Sequence, residues 1–368
     1  MNDNTKQLIL EARRGLNGLA ELAGEERRTR DYIRAFLDEH TGLRVVDRGS
    51  WLYAAHDEGA ARTLVVRADH DAVPTACGPR HLCGHDGHTA ALLGLALLLE
   101  GKRLGKNVIL LFQSAEETGA GAELCCELFG LEHLSPADTR VIGCHNIPGE
   151  PLGTLLFRRG CFACASCGLE IQLRGKPAHA ACPENGINPG GAAARLALEI
   201  PAIAKELAVS RGCMVLATLV GMQVGERAFG VAASEGRLWI TLRAEKAPAF
   251  EALNARVDEA VRAAAAADGL GCEIRRLDVF PATENDDGLQ DALEAVCRGA
   301  DVPCKYLQEP FRWSEDFGHY GKYAPSCFFG VGAGEETAPL HTEHYAYPEE
   351  LAPKTAALLL QTAEGLVW

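Results

Sequence analysis

The chain has 368 residues, 47% of them hydrophobic, and a formal net charge of −14. That length accommodates two domains with cores of their own, and the acidic balance leaves no basic patch for a nucleic acid or an anionic membrane. The start, MNDNTKQLILEARRG, lacks the apolar core of an export signal, and the longest apolar run, 90–99, is about half of what spans a bilayer, so a cytoplasmic location is expected.

Apolar periodicity predicts helices over 4–22 and 25–39. An alternation typical of α/β domains follows: TLVVRADHD (63–71) as a strand, 89–101 as a helix, and NVILLFQSAEE (107–117) as a strand. GAELCCELFG (121–130) reads as a helix and TRVIGCHN (139–146) as another strand. Right-handed crossovers between such strands give a mostly parallel sheet. Asp69 and Asp71 close the first strand, Glu116 and Glu117 follow the second, and His145 ends the third. Open parallel sheets bind ligands beyond these carboxyl ends, so three strands deliver acids and imidazoles to one edge.

From residue 166 the pattern changes. Leu169, Ile171 and Leu173 alternate with Glu170, Gln172 and Arg174. A helix over 188–208, strands over 213–225 and 236–245, a helix over 247–269 and a strand over 271–280 complete a βαββαβ order. This is the ferredoxin-like unit. The expected organisation is an α/β catalytic domain, 1–165 and 281–368, with a ferredoxin-like domain, 166–280, inserted into it.

The densest chemistry lies in HLCGHDGHTA, 81–90. A closed zinc knot needs four ligands in short paired spacings, and no second pair accompanies Cys83 and His85. An open site assembled from distant loops fits better: Cys83, His85, Glu117, His145 and His341, with His344 the alternative to His341. Thiolate, imidazole and carboxylate together suit Zn and tolerate Mn, Co or Ni. Five donors exceed one tetrahedral ion, which implies two divalent ions sharing a ligand. Successive side chains diverge, so one of Glu116 and Glu117 serves as ligand and the other faces the reacting water as general base.

Other groups read more plainly. Fourteen cysteines in such a chain are reduced thiols rather than a disulfide framework, and Cys161, Cys164 and Cys167 of CFACASC are small buried residues of a strand. Asp86 and His88 support the ligands from behind or open the helix. His70, His81 and His319 support the site or lie at the surface, while His40, His56 and His133 read as surface positions. His179 stands in a Gly/Pro-rich turn of the inserted domain. Arg227 and Arg243 are candidates for a substrate carboxylate.

RADHDAVP, HLCGHDGHTAALLG, LLFQSAEETGAGA, GCHNIPG, GKPAHAACPENGINP, WSEDFGHY and PLHTEHY occur in order across nearly the whole chain. Together they resemble the metal-dependent amidohydrolases that include aminoacylases, hippurate hydrolase, indoleacetyl-amino-acid hydrolases and N-acetyldiaminopimelate deacetylase. The resemblance implies a dinuclear metallohydrolase whose inserted domain acts as a lid and joins two copies into a homodimer. It implies Cys83, His85, Glu117, His145 and His341 as ligands, with Cys83 bridging. Glu116 matches the base, Asp71 the acid orienting a ligand, and His179 a histidine reaching the substrate. Departures are Gly230, Val231, Ala232 and Ala233 where relatives carry Asn-Val-Ile-Pro, HTEHYAYPEE near the C-terminus, and His70 for a common methionine.

The expected activity is hydrolysis of N-acyl amino acids or related small amides. Small-peptide cleavage, a Cys83 thiolate nucleophile activated by His85, and a non-catalytic small-acid binder are the rival readings.

Overall fold

The apolar runs at 63–69, 107–113 and 139–147 become neighbouring strands, in a computed structural model that describes residues 1–368. They belong to an eight-stranded sheet whose spatial order is Arg44–Asp47, Leu52–His56, Asn107–Gln113, Thr63–Asp69, Thr139–Ile147, Ser326–Gly332, Leu155–Phe157 and Cys304–Tyr306. The four central strands run parallel. Thr63–Asp69 is buried along its whole length, as expected for a strand covered on both faces. The helix His85–Leu99 is buried on almost every side. It packs between the helices Asp3–Asn17 and Leu351–Gly365, which explains why its sequence is apolar all round rather than striped.

Two units are distinguished: Met1–Phe162 with Thr283–Pro310 and Glu315–Trp368, and Ala163–Ala282 with Phe311–Ser314. In the second, the strands Val215–Val224, Glu235–Ala244, Ala165–Arg174 and Gly271–Phe280 lie in that spatial order, all antiparallel. Leu169, Ile171 and Leu173 bury one face of this sheet against Leu196 and Ile200 of the helix Gly190–Arg211 and Leu253 and Val257 of the helix Ala247–Ala267.

Several local expectations change. The first helix stops at Asn17, five residues early, and Gly18 terminates it through an N–H bond to the Arg14 carbonyl. The segment 121–130 forms two short helices, Gly121–Cys125 and Glu127–Leu131, broken at Cys126. The first parallel strand ends at Asp69, so His70 and Asp71 belong to the loop beyond it. Cys161, Cys164 and Cys167 are buried. No helix is long and apolar enough to cross a membrane.

Candidate metal centre

The Cys83–His85 loop is aimed by two close glycine contacts. Gly84 adopts φ +97°, and a Cβ there would lie 2.5 Å from both Asn146 Oδ1 and the Tyr345 hydroxyl. A Cβ on Gly87 would lie 2.2 Å from the Tyr347 ring. Only glycine tolerates the first conformation without strain, and only its missing side chain allows either approach. The loop is thereby pressed against the end of the Thr139–Ile147 strand and the 345–347 segment.

His85 and His145, both buried, are each oriented from behind. His85 holds Nδ1 3.0 Å from Asp71 Oδ1 and 3.1 Å from the Asp71 carbonyl. Its Nε2 is buried without a hydrogen-bond partner. His145 places Nδ1 2.8 Å from the Asn146 carbonyl and Nε2 3.3 Å from Cys83 Sγ. An Nδ1 proton bound to a carbonyl or carboxylate leaves the Nε2 lone pair free to ligate.

Glu117 and His341 complete the group. The Glu117 amide donates to Asp71 Oδ2 at 2.9 Å, so a single aspartate orients both His85 and the acidic turn. Glu117 Oε1 is also buried without a hydrogen bond. It lies 3.8 Å from His85 Nε2 and 3.5 Å from His341 Nε2. His341 has φ +61°, a conformation that is uncommon for a non-glycine residue, held by its amide bond to the Leu82 carbonyl. The donor atoms of Cys83, His85 and His145 fall within 4.8 Å of one another, as do those of Cys83, Glu117 and His341. Cys83 belongs to both sets, and His344 to none.

Glu116 faces a different neighbourhood. It sits on a turn in which Ala115, at φ +53°, donates its amide to Glu26 Oε1 at 2.7 Å. The Glu116 carboxylate lies within 4.8 Å of those of Glu315 and Asp316, with Oε2 4.0 Å from His85 Nε2. Burial, with Glu315 and Glu117 close by, raises its pKa well above the usual carboxylate range. Arg67 is the buried counter-charge. It donates to Gln113 Oε1 at 2.7 Å, Asp69 Oδ2 at 2.6 Å, and Glu315 Oε1 and Asp316 Oδ1 at 2.8 Å each.

The same balance acts on the nitrogen and sulfur donors. Burial opposes a charge on His85, but Asp69, Cys83 and the Asp71 hydrogen bond outweigh it and raise the imidazole. Burial and nearby His88 push His145 well down. Burial and the Glu117 charge push the Cys83 thiol up to about 12. Without a cation beside it that sulfur stays protonated, which counts against a thiolate nucleophile.

Residues outside the proposed donor set do much of the positioning. His88 makes no capping bond; it is buried between Asp69 Oδ1 and Asn146 Oδ1, at 2.6 Å from each. Asp86 accepts from Asn17 Nδ2 at 2.8 Å and forms an ion pair with Arg13, Nε lying 3.1 Å from Oδ2, tying the Cys83–His85 loop to the first helix. His70 and His81 are buried rather than superficial, with neither ring nitrogen hydrogen-bonded. Asp69 at a strand end and the SED of WSEDFGHY were the visible signals for this layer.

In the second unit His179 is exposed on the short strand Ala178–His179, paired with Val231. Its Nδ1 accepts the Ala181 amide at 3.0 Å, leaving the proton on Nε2. Arg243 is engaged with backbone and serine, donating from Nη1 to the Arg312 carbonyl at 2.9 Å and Ser314 Oγ at 3.0 Å. Arg227 is exposed.

Comparison with known proteins finds a match between residues 65–365 and the model of peptidase family M20/M25/M40. An IAA-amino acid hydrolase ILR1-like 5 of Arabidopsis thaliana is 31% identical over 83% of this chain and 74% of its own length. An N-acetylcysteine deacetylase of Bacillus subtilis is 28% identical over 93% of this chain and 92% of its own. Among solved structures, the YxeP protein of Bacillus subtilis, described as a dinuclear metal binding peptidase, superposes with a TM-score of 0.80. It is 24% identical and covers 99% of this chain and 98% of its own.

Proposed function

Because the chain belongs to peptidase family M20/M25/M40, we propose that it hydrolyses the amide bond of N-acyl amino acids or related small amides, using two divalent metal ions. The observation that carries this reading is the convergence of unpartnered donors. His85 Nε2 and Glu117 Oε1 are buried, 3.8 Å apart and without hydrogen bonds, a costly arrangement unless a cation lies between such groups.

The residues fit a metal pair. Cys83, which belongs to both donor sets, would hold the metals together with His85, His145, Glu117 and His341. The mixture of sulfur, imidazole and carboxylate favours Zn or Mn, with Co and Ni also compatible. When bound, the ions supply Lewis-acid polarisation of the amide carbonyl and acidify water. Asp71 fixes the His85 tautomer and the Glu117 backbone. Glu116 as its carboxylate takes a proton from the attacking water; its pocket favours the protonated form that results, and that proton passes to the departing amine nitrogen. His179, with its Nε2 proton free, is assigned to the oxyanion.

The strand order of the second unit supports reading 166–280 as a ferredoxin-like βαββαβ insertion, and we assign it the lid and homodimer roles. Its edge strand Val215–Val224 leaves Val220 and Met222 exposed, an edge suited to pairing with a second copy. The many buried thiols, Cys125 and Cys327 among them, suit a reducing cytoplasm.

The test is a turnover screen of the metal-supplemented protein over N-acetyl, N-aroyl and N-indoleacetyl amino acids and dipeptides. Hydrolysis of N-acyl amino acids supports the reading. Cleavage of dipeptides alone moves the activity to peptidase, and no turnover of any amide overturns it.

A further inference from the structure

The chain passes between the two units four times, at 162–163, 282–283, 310–311 and 314–315. The first two crossings follow from inserting one unit into the other. The last two do not. Phe311–Ser314 leaves the first unit for only four residues and returns directly into Glu315.

Within the second unit this excursion is firmly held. Phe311 bridges to Ala163, and the Cys164 amide donates to the Phe311 and Trp313 carbonyls at 3.1 and 3.2 Å. Arg243 Nη1 clamps the Arg312 carbonyl and Ser314 Oγ, and Ser314 Oγ donates to Ser166 Oγ at 2.8 Å. The next residue is anchored in the first unit. Glu315 is 1% exposed, accepts from Arg67 and from the Phe317 amide, and has its carboxylate in the same cluster as Glu116. One peptide bond thus separates a residue fixed on the second unit from a residue that neighbours the proposed base.

We propose that Arg243 and Ser314 are positioning residues: by clamping Phe311–Ser314 to the second unit they set the placement of Glu315 and, through it, of Glu116. The kinetic part of this inference rests on Glu116 being the base; the structural part does not.

The experiment is peptide-resolved hydrogen exchange on the full chain, comparing wild type with Arg243→Met, Arg243→Lys and Ser314→Ala. Both Arg243 bonds come from one nitrogen, so a lysine ammonium can restore them. Faster exchange is expected in Arg243→Met at 315–322 and 114–118, within the first unit, with recovery in Arg243→Lys. Changes confined to 163–282 and 311–314 overturn the proposal. If Arg243→Met does not fold, Ser314→Ala carries the same comparison. With an N-acetyl amino acid as substrate, kcat of Arg243→Met falls by roughly tenfold to a hundredfold while KM stays within about twofold. A rise in KM alone identifies Arg243 as a substrate-carboxylate ligand and overturns it. A wild type that turns over no N-acyl amino acid defeats the proposed function, while the exchange pattern still decides this inference.

Discussion

His145 presents Nε2 to the Cys83 sulfur at 3.3 Å because its Nδ1 is fixed 2.8 Å from the Asn146 carbonyl. Replacing Cys83 with Ala removes the one donor common to both sets, so bound metal falls by at least one equivalent. Wild type with metal at a hundred times its Kd gains about 2.7 kcal/mol of stability, and the variant loses most of that gain. Metal analysis and thermal unfolding with and without metal measure both.

Glu116→Gln keeps the shape of the side chain and removes its basicity. Turnover should fall by roughly 10²- to 10⁴-fold with metal content unchanged, since Glu116 is outside the proposed ligand set. Loss of metal with loss of activity would make Glu116 a ligand instead. Retained turnover would remove it from the mechanism.

Arg67 is the buried cation among Asp69, Glu315 and Asp316. Arg67→Met leaves those carboxylates uncompensated and should cost about 3–5 kcal/mol in chemical denaturation. Lysine is not a substitute, because three guanidinium nitrogens serve four acceptors in a fixed plane. Equal stability of the lysine variant would contradict this account.

Glu26 gives a pH-dependent prediction. Burial, reinforced by the Asp71 charge, raises its pKa from 4.5 to about 7. The unfolded chain therefore loses this proton at lower pH than the folded chain, and folding is penalised progressively as pH rises from 4.5 through 7. Glu26→Gln keeps an oxygen for the Ala115 amide and carries no such penalty. Relative to wild type it should be more stable by up to roughly 3 kcal/mol at pH 8, and no more stable below pH 4. Denaturation curves at the two pH values check the sign.

The central strands were legible because they are continuous apolar runs, and the second unit because Leu169, Ile171 and Leu173 alternate in the strict period of a half-buried sheet. Short strands such as Leu155–Phe157 and Cys304–Tyr306 were not assigned from the sequence; three residues carry too little periodicity to read. At the site, Cys83, His85 and Glu117 stood out as concentrated donor types in loops after strands. Arg67 and Asn146 did not. Their roles come from contacts to residues up to 249 positions away, and nothing local in a strand arginine or a strand-end asparagine announces them. The sequence left His70 and His81 between the site and the surface, because a polar residue type says little about exposure; both are buried.

The two glycine contacts with Tyr345 and Tyr347 bear on the order of events during synthesis. The loop carrying Cys83 and His85 takes its shape from a segment made about 260 residues later. A nascent chain can form three of its four central strands early, but the Cys83–His85 loop has nothing to close against until the 341–347 segment emerges. On the proposed reading metal capture is among the last steps of biogenesis, and a chain truncated just before Tyr345 would be unable to retain the ions even with all five proposed donors already made.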